Sequence, residues 1–398
     1  MSKLERLIEE LCPDGVEYKT IDSISLKIAS GGTPKTSNTG YYGGQIPWLR
    51  TQEINFCEIR ETGMYITDEG LQNSSAKWIP KNCVILAMYG ATVGKVAINK
   101  IPLTTNQACC NIQLNEKIAL HKYVYYCLSN MYTYIKSLGQ GSQSNINAQI
   151  VRKLLIPVPP LPIQEEIVRI LDSFTEKTNE LKAQLEEELE ARKKQYEWYK
   201  MMLLSFNSNI CIKRLGDFSI IKTGKKPKMI KIEKMQYEYI NAGTSKSGYT
   251  NEYNCEGDVV TTPSRGQGGI GFVGYQNNAF WLGPLCYKIC STDKSILNKY
   301  VYYFLSSNNH LILANKKEGG TPAINSKDLA SIFVPIPSII EQQRIVDILD
   351  RFDKLCNDIS EGLPAEIDAR QKQYEYYRDK LLTFKRLEDR EGIEDERV

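Results

Sequence analysis

The sequence predicts an α+β protein written twice. Two globular, mixed α/β heads are joined by two long antiparallel helices, a coiled-coil spacer with an internal pseudo-twofold repeat. Three observations predict it. Residues 157–206 and 335–384 align without a gap at an offset of 178, with 22 identities in 50 positions. In both copies apolar residues recur mostly in steps of 3, 4 or 7, the stripe of a coiled coil. Each copy also follows a block with mixed strand and helix signals.

The elements follow in order. VILAMYG (84–90) and KVAI (95–98) read as short strands, HKYVYYCLSNMYTYIKSL (121–138) as a helix, and 138–142 as a Gly-rich loop. Pro157, Pro159, Pro160 and Pro162 bar a helix before about residue 162. Beyond them the stripe from Ile163 to Phe206 predicts one unbroken helix. In the second block, DVVTT (258–262) and IGFVGY (270–275) read as strands, NKYVYYFLSSNNHLILAN (298–315) as a helix, and 318–321 as a loop. The second helical copy carries Gly362-Leu363-Pro364, a stop-and-restart signal that predicts a break.

Weaker correspondences link the blocks upstream. KYVYY recurs at 122–126 and 299–303, Ile146-Asn147 matches Ile324-Asn325, and Tyr89-Gly90 matches Arg265-Gly266. SGGTPK (30–35) parallels TGKKPK (223–228). The first block carries extra residues near 36–80.

A helix of about 44 residues is roughly 66 Å long. The second block, at about 125 residues, is only about 35 Å across. It cannot enter at one end of a parallel helix pair and leave at the other. Antiparallel pairing is therefore expected, with the two heads apart.

Composition bounds the function. The 398 residues imply two or three domains, and 24% charged with 42% apolar residues excludes general disorder. Eleven Cys without a C-x-x-C pair, and two His, lack zinc-ligand spacing. Scattered Cys without a secretory signal imply reduced thiols and a cytoplasmic protein. No apolar run is long enough to span a membrane.

Charge is unevenly spread. Residues 17–153 hold 14 Lys and Arg against 8 Asp and Glu, and 213–337 hold 16 against 9. The helix over 162–206 has 7 against 10. Basic heads on an acidic spacer suit a polyanion, although a solvated basic surface accounts for the same numbers. SGGTPKTSNTGYYGG (30–44) is rich in groups that bind phosphates and base edges, and PSRGQGG (263–269) sets Arg265 and Gln267 among glycines. GATVGKV (90–96) imitates a phosphate loop. It has one residue too few between Gly90 and Gly94, and Val96 where Ser or Thr would hold magnesium, so a tight turn is expected. No catalytic constellation, cofactor turn or metal cluster is present, and no cofactor is expected.

The segments Lys194-Gln195-Tyr196 and Lys372-Gln373-Tyr374 belong to the most strongly duplicated surface. Packing within the spacer explains them, and so do two equivalent docking sites for one partner. Both readings stay open at this point.

The chain resembles the specificity subunits of type I restriction–modification systems. The resemblance rests on SGGTPKTSNTGYYGGQIPWLRTQEI (30–54), YGATVGKVAI (89–98), the entry Gln-Glu-Glu-Ile-Val-x-Ile-Leu-Asp-x-Phe, and the ARKKQYEWY and ARQKQYEYY segments. It implies a target recognition domain at 1–156, a helical spacer and linker at 157–212, a second recognition domain at 213–334, a second spacer at 335–384 and a charged tail at 385–398. It also implies that the two domains read the two halves of an interrupted, asymmetric site in double-stranded DNA. The helices would set the gap and bind two modification (methyltransferase) subunits, joined by ATP-dependent restriction subunits. The subunit itself would not be catalytic. Expected DNA contacts are Lys35, Thr36, Ser37, Asn38, Arg50 and Tyr89 in the first head, and Lys225, Lys226, Lys228, Ser264, Arg265 and Gln267 in the second. TGKKPKM departs from SGGTPKT, so the two loops differ in chemistry. The competing reading is a structural adaptor whose heads bind proteins, which salt-insensitive, DNA-independent binding would favour.

Overall fold

The computed structural model describes residues 2–139, 145–206, 210–266, 269–317, 322–358 and 360–387. Gln267, most of both Gly-rich loops (140–144 and 318–321), part of the linker (207–209) and the tail from 388 onward lie outside the described residues. The chain divides into Met1–Lys182 with Ala369–Val398, and Ala183–Asp368.

The first unit opens with helix α1 (Lys3–Leu11) and strands β1 (Tyr18–Thr20), β2 (Ser25–Ser30), β3 (Tyr42–Leu49), β4 (Cys57–Ile59) and β5 (Tyr65–Ile66). Then come α2 (Asp68–Gln72), β6 (Val84–Ala87), β7 (Val96–Asn99), β8 (Thr104–Thr105) and β9 (Cys109–Leu114). The helices α3 (His121–Asn130), α4 (Tyr132–Ser137) and α5 (Ala148–Lys153) lead to β10 (Leu155–Pro157) and the long α6 (Leu161–Leu203). The residues of α6 up to Lys182 belong to this unit.

The second unit takes the rest of α6, then β11 (Cys211–Arg214), α7 (Leu215–Phe218), β12 (Ser219–Thr223), β13 (Tyr237–Ile240) and β14 (Tyr249–Thr250). Next are β15 (Val259–Pro263), β16 (Gly274–Gln276), β17 (Trp281–Leu282), β18 (Cys286–Ser291), α8 (Asn298–Ser307), α9 (His310–Leu313) and α10 (Ser326–Ala330). β19 (Phe333–Ile336), α11 (Ile339–Asn357) and α12 (Leu363–Leu382) are the last elements among the described residues, α12 belonging to the first unit from Ala369.

The repeat is structural. One head has a sheet of order β2-β9-β6-β7-β4 and a small sheet β5-β3-β8; the other has β12-β18-β15-β16 and β14-β13-β17. The additional edge strand β4 pairs parallel with β7 and lies within the extra residues of the first block. Each small sheet contains one parallel pair, β3 with β8 and β13 with β17.

Helix α6 begins just after the proline run, with Pro162 in its first turn, where a missing N–H costs nothing. α11 stops at Asn357 and α12 starts at Leu363, the break expected from Gly362-Leu363-Pro364. A Cβ on Gly362 would meet the Lys354 and Asp358 carbonyl oxygens at 2.6 and 2.7 Å, so this turn admits only glycine without a shift. Within the first unit Thr175 hydrogen-bonds Tyr374 at 2.9 Å and Lys182 reaches Gln371, so α6 and α12 run antiparallel there. Within the second, Tyr196 and Tyr199 pack on Phe352 while Cys356 lies in the field of Lys193 and Arg192. That partner, α11, is antiparallel as well.

Each head is fastened to its helix in the same way. Buried Gln164 accepts from Leu120 N–H at 3.0 Å and donates to the Ile118 and Pro159 carbonyls; Gln342 accepts from Leu297 N–H at 2.9 Å and donates to Ser295 and Pro337. Tyr123 and Tyr300, both fully buried, donate to the Pro157 and Pro335 carbonyls. These bonds explain the recurring K-Y-x-Y-Y and glutamine positions. The apolar cores are continuous with them, Ile163, Ile167 and Leu171 in one unit and Ile345 and Leu349 in the other.

Two expected strands are shorter than the pattern implies: β6 stops at Ala87 rather than reaching Gly90, and the strand over 270–275 forms only at its end. The helices expected over 121–138 and 298–315 each divide in two, at Met131 and at Asn308-Asn309. Of the 270–275 region only Gly274 and Tyr275 enter β16, because Gly271 takes a φ of 93° and Phe272 N–H closes a turn on the Gly269 carbonyl. Among the described residues no helix is long and apolar enough to cross a membrane.

Candidate nucleic-acid interface

In both heads the expected contact residues gather at one end of the main sheet. β2 ends at Ser30 opposite Cys110, and β6 ends at Ala87 opposite Cys109. The segments that leave this end are 31–38 and 88–95, with 106–108 leading into β9. The turn after β3 joins them, since Asn106 N–H binds the Leu49 carbonyl at 2.9 Å and Thr92 Oγ1 donates to the Thr51 carbonyl at 2.7 Å. Thr33 and Gln107 are hydrogen-bonded across it. In the second head β12 ends at Thr223 opposite Tyr287, and β15 ends at Pro263 opposite Cys286. Segments 224–230 and 264–266 leave that end.

The first loop is built alike in both heads. Gly31 lies against the Thr105 carbonyl, where a Cβ would come within 2.0 Å, and Gly224 lies against the Leu282 carbonyl, at 1.8 Å. One residue further, the Gly32 carbonyl accepts the Trp48 indole N–H at 3.0 Å, and the Lys225 carbonyl accepts that of Trp281 at 2.7 Å. Pro34 and Pro227 are buried, while Lys35 and Lys228 immediately after them are exposed. Nothing in the sequence marks the two tryptophans as equivalent. Trp48 is on β3 opposite Thr104, whereas Trp281 is on β17 opposite Tyr239, the other member of the parallel pair.

The second loop places Tyr89 and Arg265 at matching positions, two residues past β6 and β15, both exposed. The neighbouring Met88 and Ser264 carbonyls each accept the N–H of the matched isoleucine, Ile146 and Ile324, at 3.0 Å. Gly90 (φ 80°) and Gly94 (φ 83°) turn the chain back into β7. Lys95 donates to Asn55 at 2.7 Å. The phosphate-loop imitation is thus a tight turn, as expected.

The other expected residues divide. Thr36 and Ser37 are exposed, and Asn38 uses its Oδ1 to accept Gly40 N–H at 3.1 Å. Arg50 is half-buried; its Nε makes no hydrogen bond but forms a long ion pair with Glu53 at 3.9 Å. Lys225 and Lys226 are exposed beside Lys222 and Lys231. Ser264 is only 5% exposed and offers its side chain to the interior.

On the helices Lys194 is exposed and Gln195 accepts from Arg192 at 2.9 Å. Tyr196 is 7% exposed and part of the second unit's core, its ring stacked on Phe352. Tyr374 is half-buried, bonded to Thr175 and covered by Arg378; Gln373 accepts from Arg370, and Lys372 is exposed. The two tyrosines recur because they pack. Within the two duplicated segments, 194–199 and 372–377, the exposed aromatic residues are Trp198, Tyr376 and Tyr377.

No group of three or more His, Cys, Asp or Glu suited to a metal occurs among the described residues. The family model of the type I restriction modification DNA specificity domain matches residues 13–191 and again 207–369. The Escherichia coli EcoR124I/EcoR124II specificity subunit is 38% identical over 301 residues, covering 69% of this chain and 73% of the relative. A type I specificity subunit of Haemophilus influenzae is 30% identical over 419 residues, covering 96% and 98%. A chain from a structure on complex assembly and conformational transition of the type I R-M system is similar in fold, with a TM-score of 0.68 at 18% identity over 94% of this chain and 98% of that one. The HsdS subunit of Thermoanaerobacter tengcongensis gives 0.58 at 16% identity, covering 94% and 97%. The chain belongs to the type I restriction–modification specificity subunits, a non-catalytic family.

Proposed function

We propose that this subunit reads an interrupted, asymmetric site in double-stranded DNA, one half with each head. The observation that carries the proposal is the matched pair of loop ends. The same scaffold presents Tyr89 in one head and Arg265 in the other, Gly32-Thr33 in one where the other has Lys225-Lys226, and Thr36-Ser37-Asn38 where the other has Met229-Ile230-Lys231. Like scaffolds with unlike side chains suit two different half-sites, since identical heads would read a palindrome. The contact set is Lys35, Thr36, Ser37, Asn38, Arg50 and Tyr89 with Lys225, Lys226, Lys228 and Arg265; the burial of Ser264 leaves it a role in shaping the loop.

The antiparallel helices set the gap and bind two modification subunits in the cytoplasm, and restriction subunits join that complex. Lys194 and Lys372, with the exposed Trp198 and Tyr376 nearby, are the docking residues. Mapping methyladenine at base resolution in a methylation-free host, with the neighbouring modification subunit co-expressed, tests the proposal. One interrupted motif is the expected result.

A further inference from the structure

We infer that each head carries one phosphate-gripping lysine, Lys35 or Lys228, held in register by an indole, and that Trp48 and Trp281 are positioning residues for DNA recognition. The inference rests on the DNA-reading proposal and assigns roles within it. The anchor has three consecutive parts in both heads. A glycine is pressed against the small sheet, the next carbonyl is bound by a tryptophan N–H, and a buried proline follows two residues later. In the first head the Tyr42 hydroxyl also donates to the Pro34 carbonyl at 2.7 Å.

Such an anchor removes conformational freedom from the backbone before the lysine, so the ammonium is placed without ordering a loop on binding. Only the lysine is shared between the loops' exposed tips. It therefore suits what both half-sites have in common, the phosphate backbone, which carries no sequence information. The unlike pair Tyr89 and Arg265 suits what differs between them, the base edges. The indole comes from β3 in one head and β17 in the other. The shared feature is the anchored carbonyl, whichever strand supplies the donor.

The test is a double-mutant cycle on DNA binding by the complete complex with its modification subunits, measured as a function of salt. Lys35→Ala removes one phosphate contact; the slope of log K against log salt falls by about 0.9, and affinity drops about fivefold at 0.15 M salt. Trp48→Phe keeps the ring and removes the N–H. It is expected to lower the slope similarly, and the double variant is expected to be no worse than Lys35→Ala alone. Trp281→Phe with Lys228→Ala repeats the cycle at a half-exposed tryptophan, should Trp48→Phe fail to fold. Additive losses, or an unchanged slope in the tryptophan variants, would overturn the inference while leaving DNA reading intact. Salt-insensitive binding by the unmutated complex would instead remove the DNA-reading proposal itself.

Discussion

Asp172 takes the Lys122 ammonium at 2.6 Å in the first unit, and Asp350 takes Lys299 at 2.7 Å in the second. A tyrosine closes each arrangement, Tyr126 on Asp172 at 2.7 Å and Tyr303 on Asp350. Burial first, and then the neighbouring carboxylate, push both phenols above their usual range, so both stay neutral donors. A head helix is thereby tied to a spacer helix twice, with the same three residue types. Asp172→Ala and Asp350→Ala are each expected to lower stability by about 1–3 kcal/mol. The sites lie in different units and share no partner, so the losses should add in urea unfolding of the double variant.

Helix α1 is held to α6 by an acid-sensitive contact. Glu166, 3% exposed, binds Arg169 at 2.6 Å and Lys3 at 2.9 Å. Those hydrogen bonds, Arg169 before Lys3, bring its carboxyl down to about 2 from 4.5. A folded value below the unfolded one stabilises above about pH 4.5, and that contribution is lost as pH falls toward 2. Melting temperatures of the native chain and of Glu166→Gln should differ at neutral pH and converge across that acid window. A constant difference would show that the contact is not electrostatic.

The thiols are predicted to react in order of exposure. All eleven cysteines are unpaired, and Cys211 is exposed while Cys83, Cys110, Cys127 and Cys286 are buried. Burial pushes each of those four up to about 12. A thiol reagent at pH 8 should label Cys211 at once and these four only after unfolding. Mass mapping of the labelled peptides reads the result.

Much of the fold was legible because the repeated residues are fold residues. The 178-residue offset, the proline-barred start of α6 and the break at Gly362 follow from identities and local propensity. β16 was overread because Gly271 sits in an apolar run and turns it. The docking reading of Tyr196 and Tyr374 gave way because a repeated aromatic residue on an amphipathic helix can face its neighbour, and a linear pattern does not say which neighbour. The tryptophan anchors were hidden for a different reason. Trp48 and Trp281 do not align, and only strand pairing brings each to the same carbonyl. In the loops, composition singled out segments that meet at one end of the main sheet but not which residues of each loop are buried, as Ser264 is.

Arg265 carries the sharpest test of the central claim. Base-resolution methyladenine mapping would compare the native complex with Arg265→Ala, both co-expressed with the modification subunit in a methylation-free host. The account predicts one interrupted motif for the native complex. In the variant, one position in a single half-site should relax, by about 1–3 kcal/mol of discrimination, with the other half unchanged. Equal relaxation of both halves, or methylation without an interrupted motif, would contradict it.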